Sequence, residues 1–179
     1  MSKSIFDDFV SKNISQQRQD GIDWLSIRNE WLRQLEIFYT QVEIYLNEYV
    51  SSGKISITYG VKKIIEDKIG EYEAKNVMIV IGKIQVMLDP IGANLIGARG
   101  RVDMNGLKRK VKFVLVDADS TSPKITSRVY IRGENAPPKS EEPKKVTMVW
   151  KIATRPPKIE YIDFTQVAFY EALMSVANG

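Results

Sequence analysis

The sequence predicts an α+β fold, in which N-terminal helices and one C-terminal helix pack on an antiparallel meander of about six strands. Three observations lead to this expectation. Residues 1–53 show the apolar period of helices, residues 54–158 mainly show the period of two typical of strands, and an apolar helical pattern returns at 163–178. At 179 residues the chain is long enough to bury a core, so we expect a single domain.

The N-terminal part is predicted to form a short helix within Ser4–Gln19 and a long helix from an N-cap at Asp23 to about Val50. In the long helix, aromatic residues recur every seven positions with leucines beside them, which gives an apolar arc of about 100°. A coiled-coil seam is the alternative, but aromatic residues are poor knobs in such seams. We therefore expect the stripe to pack on the sheet. Its central members are Trp31, Leu35, Phe38 and Val42.

The central part reads as a series of short strands. The segment 61–75 fits a helix as well as a strand, and Asp89-Pro90-Ile91-Gly92 is a predicted turn. A mobile loop is expected at 133–145, which is rich in proline and charged residues. The predicted strands are 55–59, 77–81, 83–88, the two arms of a hairpin at 98–116, 127–132 and 146–154.

Two local signals refine this outline. Asp163 followed by Gln166 is a variant of the capping box, which predicts that the last helix begins at Asp163. The glycines at 92, 97 and 100 predict a bulge or a tight turn into the hairpin.

The hairpin at 98–116 is the most specific local prediction. Asn105-Gly106 is the preferred pair for a two-residue type I′ turn, and this turn would place Asp103 opposite Lys108. Because side chains alternate, one face would be apolar, with Leu107 at the turn, and the other would be basic around Asp103. The cations of the basic face are Arg99, Arg101, Lys108, Lys110 and Lys112.

The neighbouring strands would extend this basic face, through Arg128, Tyr130 and Arg132 on one strand and through Lys151 and Arg155 on another. Cations neutralise phosphates and an aromatic ring can stack on a base, so the face is a candidate for binding nucleic acid or another polyanion. The charge distribution agrees: residues 97–155 carry fourteen basic and six acidic side chains, against five and eight in residues 1–53. The alternative is a solvated face on which lysine discourages aggregation.

A second candidate site is Phe113-Val-Leu-Val-Asp117-Ala-Asp119-Ser-Thr121. These nine residues resemble the first motif of the haloacid-dehalogenase-type phosphatases. The resemblance implies that Asp117 would be a nucleophile and Asp119 a general acid beside Mg²⁺. We prefer a simple turn, in which such side chains bond their own backbone, because no parallel βαβ units follow.

Composition narrows the possible chemistry. With no histidine and no cysteine, Ser-His-Asp and Cys-His catalysis and imidazole or thiolate zinc sites are excluded. No stretch approaches the roughly 20 apolar residues of a membrane span, and the cytoplasm is the expected compartment. We predict a non-catalytic module that binds another protein, as an adaptor or regulator, without cofactor, metal or membrane. Nucleic-acid binding is the alternative and a Mg²⁺-dependent phosphatase the third possibility. The partner, the pathway and the oligomeric state do not follow from the sequence.

Overall fold

The computed structural model describes residues 3, 5–7, 23–93, 97–123 and 147–178. Its seven strands form one antiparallel sheet in the order β1 to β7, so every strand pairs with its neighbours in sequence. This confirms the α+β class, with seven strands where about six were predicted. The elements are α1 (Trp24–Ser51), β1 (Ile55–Glu66), β2 (Gly70–Ile81), β3 (Ile84–Gly92), β4 (Gly100–Asn105), β5 (Lys110–Asp117), β6 (Met148–Ala153), β7 (Tyr161–Asp163) and α2 (Gln166–Ala177).

Helix α1 begins and ends close to the predicted residues. The Asp23 carboxylate accepts the Ser26 N–H at 3.0 Å, which satisfies one of the free donors at the helix N-terminus. The predicted stripe is buried against the sheet, and none of its four central members is more than 1% exposed. On the other side of the helix, Ile37 is 46% exposed although it directly precedes the buried Phe38.

The core is built around aromatic rings from α1, the sheet and the segment before α2. The ring of Phe38 lies 5.1 Å from that of Phe113, 4.7 Å from that of Trp150 and 5.1 Å from that of Phe164, measured between centroids. Such pairs contribute beyond their buried area. The indole N–H of Trp150 donates to the Gln34 carbonyl at 3.1 Å, which ties the sheet to the helix backbone.

The last helix begins later than predicted. Thr165, not Asp163, is the N-cap, and its hydroxyl accepts the Ala168 N–H at 3.2 Å. Asp163 instead ends β7, where it lies opposite Lys151 of β6. The capping-box pattern was therefore overridden by a strand pairing that brings residues 161–163 onto the sheet edge.

The predicted register of the basic hairpin is wrong. Asn105 pairs with Lys110, so four residues connect the strands instead of two, and Leu107 is 90% exposed instead of facing the core. Neither Asn105 nor Gly106 has the positive φ that a type I′ turn requires. The connection is held against α2, because a Cβ on Gly106 would lie only 2.1 Å from the Val176 carbonyl oxygen.

The segment 61–75, whose class was left open, belongs entirely to strands β1 and β2 and their short connection. The predicted turn at Asp89–Gly92 is also wrong, because β3 continues through it to Gly92. The register shifts between Pro90 and Gly92, at the first of the glycines that predicted a bulge or a tight turn into the hairpin. Gly100 permits a close approach, since a Cβ there would lie 2.3 Å from Cζ3 of Trp31.

Several predictions fall outside the described residues. These are the strand at 127–132, the loop at 133–145, the start of the strand at 146–154 and most of the helix at 4–19. Residues 5–7 of that helix are described as helical, with Ile5 and Phe6 exposed. Within the described ranges, no helix is long and apolar enough to cross a membrane.

Candidate protein-interaction site

An acid, Asp103, occupies the centre of the β4–β5 hairpin face that was predicted to be basic. The Asp103 side chain is 1% exposed and accepts two hydrogen bonds from the Arg101 guanidinium, at 2.7 and 2.9 Å. The Lys110 ammonium lies 3.1 Å from Oδ2 of Asp103, which also accepts from Nη2 of Arg101, and Lys112 is the cross-strand partner of Asp103. Burial raises the pKa of Asp103, but the hydrogen bonds and charges of Arg101 and Lys110 outweigh it and hold the pKa below its usual value. Two of the predicted cations therefore share one carboxylate within the sheet, which offsets one of their two charges.

A second ion pair lies beside this one. Asp89 of β3 is directly opposite Asp103, an arrangement that is unfavourable for two carboxylates unless each has a cation. Lys62 supplies that cation, because its ammonium donates to the Asp89 carboxylate at 2.7 Å and to the Pro90 carbonyl at 3.0 Å. The Lys62–Asp89 pair ties the β1–β2 hairpin to β3 in the middle of the sheet.

The remaining predicted cations are dispersed. Arg99 precedes β4 and lines a cavity of about 350 Å³ beside Trp31 and Met148, and Lys108 is exposed in the hairpin connection. Lys151 is buried, and its ammonium donates to the carbonyls of Ala118 and Ser120 at 2.8 and 3.0 Å. The structure thus brings three of the predicted residues together. These are Arg101, Lys110 and Lys112, whereas Arg128, Tyr130 and Arg132 lie outside the described residues.

The aspartate string at the end of β5 forms a local turn. The Asp117 carboxylate accepts the Asp119 N–H at 3.2 Å, and the Asp117 carbonyl accepts the Ser120 N–H at 2.9 Å. Strand β5 lies between antiparallel neighbours, unlike the parallel strand that the phosphatase motif would require. In the described part of the chain, no group of three or more acidic residues could hold a metal ion.

A different surface lies at the β1 edge of the sheet. Strand β1 has 12 residues and pairs only with β2, in one continuous register from Ile55 to Glu66. Its outer edge has no strand partner in the described part of the chain. Alternation places Tyr59, Val61 and Ile65 on one face, where they are 47%, 67% and 78% exposed. We call these three residues the exposed row.

The β1–β2 hairpin is held in place from its opposite face. The Tyr72 hydroxyl donates to the Glu66 carboxylate, whose oxygens accept the Ala93 N–H at 3.0 Å. Burial, together with Glu66, raises the pKa of Tyr72, so Tyr72 stays protonated as a donor. Ile64, which alternates with the exposed row, is 5% exposed. The row therefore lies on a strand that is anchored to the core by Ile64 on one face and by Ile55 on the other. Tyr59 of the row also donates to the Glu43 carboxylate of α1.

The opposite edge of the sheet is built differently. Strand β7 has three residues, and its Tyr161 N–H donates to the carbonyl of Thr121 at 2.8 Å. The loop after β5 therefore covers part of this edge. Short, covered edges are the usual protection against pairing with another chain, and among the described residues β1 has neither feature.

The exposed row was missed at the sequence level because residues 61–75 fitted a helix equally well. One signal could have found it: Tyr59, Val61, Lys63 and Ile65 occupy every second position of a segment that contains no proline. Comparison of the chain with protein-family models, with curated proteins and with solved structures found no match.

Proposed function

We propose that this protein is a non-catalytic interaction module that binds an extended segment of another protein chain along β1. The observation that carries the proposal is the 12-residue edge strand with its exposed row. We also propose that the protein is located in the cytoplasm. The sequence contains no cysteine that could form a disulfide bond.

Strand addition is the physical basis of this binding. An extended segment laid along β1 would form main-chain hydrogen bonds with the edge that has no strand partner among the described residues, and alternate side chains of the segment would contact the exposed row. A rigid edge lowers the ordering cost on the side of the module. The ion pair between Lys62 and Asp89, together with the contacts of Glu66, provides that rigidity at two points of β1.

The test uses a displayed library of random 12-residue peptides, selected on the wild-type protein and measured on two variants. Val61→Lys places a charge in the exposed row, and Val167→Lys is the matched control. Val167 lies on α2 and is 66% exposed, against 67% for Val61. We expect selected peptides with alternating β-branched residues that bind wild type and the control but lose at least tenfold in affinity for Val61→Lys. Peptides that bind all three proteins equally would contradict the proposal.

Binding of a polyanion by the basic face has less support. Asp103 already engages Arg101 and Lys110, so Arg99, Lys108 and Lys112 remain as the predicted cations of the hairpin without a carboxylate partner at ion-pair distance in the described residues. Titration of labelled single- and double-stranded nucleic acid at two salt concentrations tests this alternative. A tight, salt-sensitive affinity that is lost in Lys112→Glu would favour it over strand addition.

A further inference from the structure

We infer that the segment bound along β1 is β1 of a second copy of this chain, so that the two sheets join in a symmetric dimer. This inference rests on the proposed function, because it names the partner of the same edge. Homodimers are most often two-fold symmetric, and their interfaces use the same patch on both copies. A strand that serves such an interface must be complementary to itself when it is reversed.

The β1 sequence meets this condition about Val61. A two-fold axis perpendicular to the sheet pairs residues whose numbers have a constant sum, and it keeps equivalent faces on the same side. With the axis at Val61, residues 56–66 of each copy overlap over about 35 Å. On the face of the exposed row, Val61 meets Val61, Ile57 meets Ile65, and Tyr59 meets Lys63.

The other face of the strand is also compatible with this register. Ser56 meets Glu66, Thr58 meets Ile64, and Gly60 meets Lys62. No two like charges lie opposite each other on either face, and like charges in that position destabilise a strand pair. All three members of the exposed row gain a cross-strand neighbour.

Neighbouring registers fit less well. An axis at Lys62 or at Lys63 would put two ammonium groups directly opposite each other. An axis at Gly60 would place Ile65 against Ile55, which is 8% exposed and already part of the core. An axis at Tyr59 would leave Ile65 beyond the partner strand. Only the register about Val61 covers the whole exposed row without placing like charges opposite each other or pairing the row with the buried Ile55.

The absence of cysteine gives a direct test of this register, because a single introduced cysteine is the only thiol. Cross-strand partners have Cα atoms about 4.5–5.5 Å apart, within the range that a disulfide bridges. Under mild oxidation we expect Val61→Cys to form a covalent dimer, while Tyr59→Cys and Lys63→Cys on the same face stay monomeric. A covalent dimer of either control in place of Val61→Cys would overturn the register.

The oligomeric state is measured by size-exclusion chromatography with light scattering. We expect wild type and the Val167→Lys control to show a mass near twice the 20.4 kDa of one chain. Val61→Lys should be monomeric with an unchanged circular dichroism spectrum, since it places two ammonium groups on the axis. A wild type that stays monomeric at the highest concentration reached, or a dimer that survives Val61→Lys, would overturn the inference.

This outcome can be separated from the proposed function. A monomeric wild type that still binds peptides in a manner dependent on Val61 would remove the second copy as partner and retain strand addition. A wild type that neither forms a dimer nor binds peptides would rule out the second copy as partner and strand addition as well.

Discussion

The two faces of the β4–β5 hairpin are buried by different means. On the face toward the helices, Val102, Met104 and Phe113 are fully buried among apolar and aromatic side chains. On the other face, Asp103 is equally buried, but its neighbours are the charged groups of Arg101 and Lys110. The same two strands therefore carry an apolar core on one side and an ion network on the other.

The difference shows what each kind of burial requires from the sequence. The apolar face depends only on alternation, so it survives a shift of register by an even number of residues. The pair between Arg101 and Asp103 lies within β4, but the contact of Lys110 depends on the register, because a carboxylate needs its cation within about 4 Å. With Lys112 instead of Lys108 opposite Asp103, the apolar face keeps its members within the strands and loses only Leu107 at the connection, whereas every charge pair across the hairpin differs from the prediction.

The largest effect is expected on the helix side. Phe38→Ala removes the ring that contacts Phe113, Trp150 and Phe164, and it should lower the free energy of unfolding by about 3–5 kcal/mol. Urea denaturation measures the change. Ile37→Ala is the control, because Ile37 is exposed and should change stability by no more than about 0.5 kcal/mol. Equal stability of both variants would show that the helix does not pack on the sheet through this stripe.

A smaller loss is expected on the charged face. Asp103→Asn keeps the shape of the side chain but weakens its hydrogen bonds with Arg101 and Lys110, and it should cost about 1.5–3 kcal/mol. Both cations are partly exposed and can be solvated by water, so the loss should stay below that of Phe38→Ala. A variant as stable as wild type would show that the network adds nothing to stability.

The pH dependence of stability tests whether the charge of Asp103 causes the loss expected for Asp103→Asn. The pKa of Asp103 lies below that of the unfolded chain, so the ionised carboxylate stabilises the fold above the unfolded-state value of about 3.9. This contribution is lost as the pH falls toward the folded pKa. We therefore expect the difference between wild type and Asp103→Asn to be constant above about pH 5 and to shrink below it. A difference that does not change with pH would point to packing instead of charge.

The smallest effect tests the register directly. Lys112→Glu places a carboxylate opposite Asp103 and should cost about 0.2–1 kcal/mol, whereas Lys108→Glu lies in the connection and should cost nothing measurable. Thermal unfolding of both variants gives the comparison. The opposite order would support the two-residue turn.

The fold could be predicted from the sequence where a regular apolar pattern continued over a long segment. Helix α1, its N-cap at Asp23 and its buried stripe followed from the spacing of aromatic residues, since only one arc of a helix can face a core. The β1–β2 hairpin could not be predicted in the same way. Its apolar residues at 61, 64, 65 and 69 satisfy both periods, and only the pairing of β1 with β2 resolves the choice.

Local signals failed where a distant contact opposed them. Asn105-Gly106 favours a tight turn, but the close approach of Gly106 to the end of α2 fixes a longer connection. Asp163 favours a helix start, but its pairing with Lys151 holds it in β7. The candidate site could not be predicted from local signals either, because the exposure of Val61 and Ile65 follows from the position of β1 at the edge of the sheet.

The contact between Trp31 and Trp150 gives the molecule an optical reporter of its own folding. The two indole rings lie 6.0 Å apart at 48°, one on α1 and the other on β6, and both are buried. Transition dipoles at this separation couple, so the near-ultraviolet circular dichroism should contain a signal that belongs to the pair. That signal requires the helix and the sheet to be docked, whereas far-ultraviolet circular dichroism reports each element separately. Recording both during unfolding would show, without any label, whether α1 leaves the sheet before the strands separate.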